Sequence, residues 1–257
     1  MRALFLLLWL AAAPVFAAPV LAAPAPVRDR DDGERYRQCL ALARSDPAQA
    51  VDRASEWRAN DGGIPARHCL AMAYGAKGDF AAAAAELTAT ARAAETAHDV
   101  HAADLWGQTG NAALLDRKPT DAIAAFASGL AVAGTEPVRL AALLTDRARA
   151  LVDLNRTSEA KADLTRATAA DPSSVAGWLL LATLDRRLND LPAAERAILE
   201  AARREPADPD IALEAGNIAG AQGRLDLART EWKKVVDGRP GSEAAAAAAK
   251  SLALNPG

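Results

Sequence analysis

His98, His101 and Asp104 stand at three-residue steps, so on a helix they share one face and offer nitrogen and oxygen donors of the kind zinc accepts. No fourth ligand or supporting carboxylate can be named beside them, and the same spacing equally suits solvated residues where a helix begins. His68 precedes Cys69 directly, and adjacent side chains on a helix point apart. The chain contains no His-Glu-x-x-His, no Gly-x-Ser-x-Gly and no glycine loop for phosphate. These residues therefore predict a non-enzymatic protein without a cofactor, with metal handling or an enzymatic activity at His98, His101 and Asp104 as the alternative.

What must position any site is a repeat. Pro172, Pro206 and Pro240 are 34 residues apart, and the same step links Ala160, Ala194 and Ala228, and Leu164, Ile198 and Trp232. A period of this length with small, bulky and closing residues in fixed places predicts stacked helix-turn-helix units. Asp171-Pro172 and Glu205-Pro206 end helices, because the residue before proline is driven out of the α region and proline lacks an N–H. No segment alternates as a strand would. Ser242 as N-cap, Glu243 in the first turn and the alanines up to Ala249 predict a closing helix that shields the last unit.

The pattern resembles the tetratricopeptide repeat. The best copy runs from Val175 to Pro206, with Trp178, Leu181 and Ala182 on its first helix and Ala194, Ile198 and Ala201 on its second. Leu144, Ala148, Asn155 and Leu164 precede it in register, and Gly216, Gly223, Ala228 and Trp232 follow. Trp106, Gly110, Ala122 and Phe126, and further upstream Leu70, Ala71, Tyr74 and Ala83, repeat the motif with looser spacing. Ala83 to Ala122 is 39 residues and Ala122 to Ala160 is 38, which places extra residues around Glu95 to His101 and Ala133 to Pro137. Tyr36 to Trp57 is the faintest unit. The resemblance covers roughly residues 34–240 and implies an all-α, right-handed α-α superhelix of about six repeats, closed by a helix and tail over residues 241–257.

The resemblance also implies where a partner sits. In such arrays the first helix of each pair lines a concave wall, and the residue after the small one faces the groove; here those residues are Met72, Asn111, Arg149, Thr183 and Asn217. One turn away, Asp146, Arg186 and Glu214 add charge. An asparagine ladder suits the donors and acceptors of an extended peptide backbone, or else these residues are the wet side of amphipathic helices. Gly107 stands where the family's carboxylate clamp has its first lysine, so capture of a C-terminal carboxylate is not implied. Arg149 and Arg186 would still draw an acidic segment.

Address and redox state follow from the N-terminus. Arg2, the apolar run Ala3 to Ala13 and the small residues of Val20-Leu21-Ala22 predict a signal peptide over residues 1–22, with Val15-Phe16-Ala17 as a rival cut. An uncleaved anchor is the other reading, although Pro14 and Pro19 interrupt the run. A mobile leader over residues 23–33 would follow, and the chain would be periplasmic or secreted, without stable membrane insertion once cut. Cys39 and Cys69 fall on the first two units, 30 residues apart, where an oxidising compartment permits a disulfide, and two small buried hydrophobes are the plainer reading. With a net charge of −3 and no basic stripe interleaved with aromatics, nucleic acid is a poor partner. The expected partner is a protein or peptide, with self-association through the solenoid ends as a further reading.

Overall fold

Alanine, leucine and arginine favour helix intrinsically, and residues in this chain that favour turns fall at the ends of the alanine-rich runs. The computed structural model describes residues 27–257, and the segment read as a signal peptide lies outside them. Thirteen α-helices and no strand are found among the described residues. They are α1 (Val27–Ser45), α2 (Pro47–Ala59), α3 (Gly63–Ala76), α4 (Phe80–Thr96), α5 (Ala102–Leu115), α6 (Pro119–Val132), α7 (Pro137–Asp153), α8 (Thr157–Ala170), α9 (Val175–Arg187), α10 (Leu191–Arg204), α11 (Pro209–Ala221), α12 (Leu225–Gly238) and α13 (Glu243–Leu254). The first helix overlaps the segment read as a leader. Each helix packs on the next in sequence, and neighbouring odd-numbered helices other than α3 and α5 pack on one another as well, giving six helix pairs with α13 closing the stack. The protein is an all-α repeat superhelix with the odd helices as its inner wall.

Within five of the pairs the turn is built the same way. Gly78, Arg117, Asn155, Asn189 and Gly223 each adopt a positive φ of 57–79° just past the first helix. In each case the next residue's N–H returns to a carbonyl five back, as from Asp190 to Asp185 at 2.9 Å and from Lys118 to Ala113 at 2.8 Å. This is the left-handed closure that satisfies carbonyls left open at a helix end. Glycine takes that conformation without strain, asparagine tolerates it, and arginine does not. Arg117→Gly is therefore expected to stabilise the protein by about 1 kcal/mol, read as a higher midpoint in urea with an unchanged slope. A lower midpoint would mean that the arginine side chain, not its backbone, matters there.

Between the helices of a pair, small residues make room for large ones. A Cβ placed on Gly110 would lie 2.5 Å from Phe126 of α6, and one on Gly216 would lie 2.6 Å from Trp232 of α12. The two pairs have the same 16-residue separation, so the same cavity-filling contact recurs three units apart. Contacts this tight leave no space for a methyl group. Polar ties lie outside this core: within one pair Arg147 of α7 grips the buried Asp163 of α8 with two hydrogen bonds of 2.7 Å, and across to the next pair Lys161 reaches Asp185 at 2.7 Å and Asp190 at 3.0 Å.

The irregular spacing near the N-terminus has a structural counterpart. Helix α4 runs 17 residues where α6, α8, α10 and α12 each run 14, and residues 97–101 form a turn before α5. The chain leaves α4 nearly a full turn later than in the regular units. As a result α3 and α5 do not pack closely, unlike the other neighbouring inner helices, α1 with α3, α5 with α7, α7 with α9, α9 with α11 and α11 with α13.

Candidate functional site

The inner wall collects the residues that the repeat register pointed to, but it pairs them off. On α5 and α7, Asn111 Nδ2 donates to Asp146 Oδ2 at 3.2 Å, and the Arg149 guanidinium donates to Asp146 Oδ1 at 2.5 Å. On α9 and α11, Arg186 makes two hydrogen bonds to the buried Glu214, at 2.6 and 3.2 Å. Asn217 donates to the same carboxylate at 3.3 Å, while its own carbonyl accepts from Trp232 Nε1 at 3.1 Å. Thr183 borders a small cavity of about 150 Å³ with Arg149 and Arg187.

Seven of the eight groove candidates thus fall into two internal networks and one isolated threonine, and Met72 stands apart from them. Arg186 spends its fork of donors on Glu214, and Arg149 spends its charge on Asp146, so neither offers the free positive charge expected to draw an acidic segment. Gly107 lies against Leu143, where a Cβ would press on Leu143 Cδ2 at 3.1 Å. A lysine at that place would require Leu143 to give way by a few tenths of an ångström.

The proposed metal ligands are gathered only in part, with His101 Nδ1 3.8 Å from Asp104 Oδ2. His98 is the left-handed residue that ends α4, with φ 52°, and His101 sits at the N-cap of α5. Asp104 is taken by Arg139 of α7 through hydrogen bonds of 2.8 and 3.3 Å, which also hold that guanidinium's pKa above its usual value. No group of three His, Cys, Asp or Glu side chains suited to a metal occurs among the described residues. Cys39 and Cys69, in contrast, are joined as a disulfide between α1 and α3 with their Cα atoms 6.2 Å apart.

The widest part of the groove lies where α3 and α5 part. Two cavities meet there, of about 790 Å³ toward the start of these helices and about 690 Å³ toward their ends. His68 and Gln108 line both. His68 Nε2 donates to Gln108 Oε1 at 2.7 Å, and Nδ1 accepts from the Tyr36 hydroxyl at 2.6 Å, so one chain of hydrogen bonds crosses α1, α3 and α5. Burial pushes the Tyr36 phenol above its usual pKa, which keeps it a donor. The opposite pointing of His68 and Cys69 is what lets one serve the groove and the other the core.

Of this cleft, Met72 was legible as a groove residue, and Tyr36, His68, Gln108 and Leu115 were not. His68 and Gln108 stand four before Met72 and three before Asn111, which is the i, i+3, i+4 signal that places them on the groove face.

The description "Tetratricopeptide repeat" belongs to the family model that matches residues 145–184 and 179–243. No curated protein matches the chain in sequence. Among solved structures, the Pseudomonas aeruginosa protein pilF superposes with a TM-score of 0.68 at 15% identity, covering 88% of this chain and 99% of pilF. YrrB, described as a TPR protein with an unusual peptide-binding site, superposes with a TM-score of 0.53 at 20% identity, over 78% of this chain and 98% of YrrB. MamA gives 0.55 at 18% identity, over 66% and 94% of the two chains. At such identities the likeness is one of fold, and it agrees with the six helix pairs and the recurring small, bulky and proline positions. Residues 145–243 match the tetratricopeptide repeat, and the helix pairs upstream of them share its fold.

Proposed function

We propose that the protein is an exported, non-catalytic scaffold that holds a segment of another protein in its concave groove, in the service of envelope assembly, secretion or maturation. The observation that carries this reading is the inner wall itself: the odd helices leave a trough whose widest stretch is open, partly apolar and unfilled by side chains of the described residues. A trough of that kind takes an extended or helical segment of a partner. YrrB, with the same fold, is described as having a peptide-binding site. The export signal read in residues 1–22 and the disulfide between Cys39 and Cys69 support an oxidising compartment.

One experiment tests both the surface and the address. The full chain is expressed in a Gram-negative host with a photo-reactive side chain at Thr183, on the inner wall, or at Ala124, on the outer α6, and the cells are irradiated before fractionation. Protein adducts from the Thr183 position alone are expected, on a chain released by osmotic shock whose first residue is Ala23. Adducts from Ala124 alone would move the function to the convex face. An uncut chain retained in the cytosol would overturn the exported location.

A further inference from the structure

Resting on the groove reading above, we infer that the cleft between α3 and α5 is the partner site, and that its occupant is a protein segment with apolar side chains at one end and basic side chains at the other. The two ends of the cleft differ in character. The 690 Å³ end is floored by Phe80, Ala83 and Leu87 of α4 and edged by Met72 and Leu115, which remain 42% and 60% exposed. Arg44 is the only charged residue that lines it among the described residues.

The 790 Å³ end holds Asp61 and Asp99, and neither is within ion-pair distance of a basic side chain among the described residues. Asp104 is also there but is occupied by Arg139. The Tyr36–His68–Gln108 chain marks the border between the two ends. Charge complementarity therefore places lysine or arginine of the partner beside Asp61 and Asp99, and Arg44 repels the reverse placement. Apolar side chains of the partner cover Met72 and Leu115, which as isolated surface residues face water at a cost.

The lengths agree. From Ala102 to Leu115 helix α5 spans about 20 Å, which an extended segment covers in about six residues. The rest of the groove lacks these features, because its charged residues neutralise one another in the Asp146 and Glu214 networks.

Fluorescence anisotropy with the full chain tests the assignment. The probes are a fluorescein-labelled octapeptide of two lysines followed by leucine, phenylalanine and alanine, a counterpart with two glutamates in place of the lysines, and one with serines in place of the apolar residues. The lysine-apolar peptide is expected to bind at least tenfold more tightly than either of the others. Met72→Glu with Leu115→Glu should weaken it at least tenfold at an unchanged circular dichroism melt, and Arg149→Ala should leave it unaltered. Equal binding of the lysine and glutamate forms, no binding of any peptide, or indifference to the Met72 and Leu115 changes would overturn the inference. A photo-reactive group at Met72 separates this from the broader reading: adducts from Thr183 without any from Met72 keep the groove and remove the cleft, whereas adducts from neither remove the groove as well.

Discussion

Ala194→Glu is expected to destabilise the protein by on the order of 4 kcal/mol, the sum of an ionisable group placed in an apolar contact and a side chain forced into a filled space. Ala194 is fully buried on α10, in one cluster with Leu181, Ala182, Leu184 and Ile198. Glu200→Ala, on the same helix, is the control. Glu200 pairs with Arg203 and Arg204 at the surface, and those guanidiniums hold its carboxyl below the usual carboxylate range, Arg204 foremost. Solvent-exposed pairs of this kind contribute little to stability, so its denaturation midpoint should match that of the unaltered chain. Equal midpoints for the two variants in urea titrations followed by circular dichroism would show that the inward face of α10 has been misplaced. Because units in a solenoid are stabilised by their neighbours, the Ala194 variant should also broaden the transition.

The second large effect is at the disulfide. Closing a loop of about 30 residues removes about 3–4 kcal/mol of disorder from the unfolded chain in the entropy model. Helix α1 depends on it more than its length suggests, since Cys39 and Ala43 are its only buried side chains among the described residues. Two small groups bury little apolar area. Cys39→Ser with Cys69→Ser, or reduction of the native chain, should therefore release α1 while α5 to α13 stay folded. Hydrogen exchange would show loss of protection over residues 32–45 with little change beyond residue 102. Uniform loss along the chain would instead mean that the array melts as a single unit, and unaltered protection at α1 would mean that its packing suffices.

The two predictions draw on parts of the fold that differ in how openly the sequence states them. The C-terminal units were legible because identical physical demands recur at a fixed step: Ala160, Ala194 and Ala228 are each fully buried where two helices cross. The positions of the groove residues were legible too, as Asn111, Arg149, Arg186 and Asn217 all lie on inner helices. Their state was not, because spacing along one helix does not show which group on the next helix will answer a charge. Asp146 and Glu214 were read as additions to a charged trough, and they are instead its internal counter-ions. The cleft was least legible, since it comes from the length of α4 and of the turn after it, and a longer element advertises nothing about the gap that it opens on the opposite wall.

The stacking of each pair on its neighbours also bears on how the chain becomes folded. Side-chain hydrogen bonds among the described residues join positions at most 40 apart, the longest being that from His68 to Gln108. Chains whose contacts are local in sequence close only short loops on the way to the native state, and such chains fold fast. A chain delivered end first needs no distant segment before its earliest units can form. The pair Cys39 and Cys69 can meet once little more than the first two units have emerged, so oxidation can fix the leading end of the solenoid while the remaining units add to it in order.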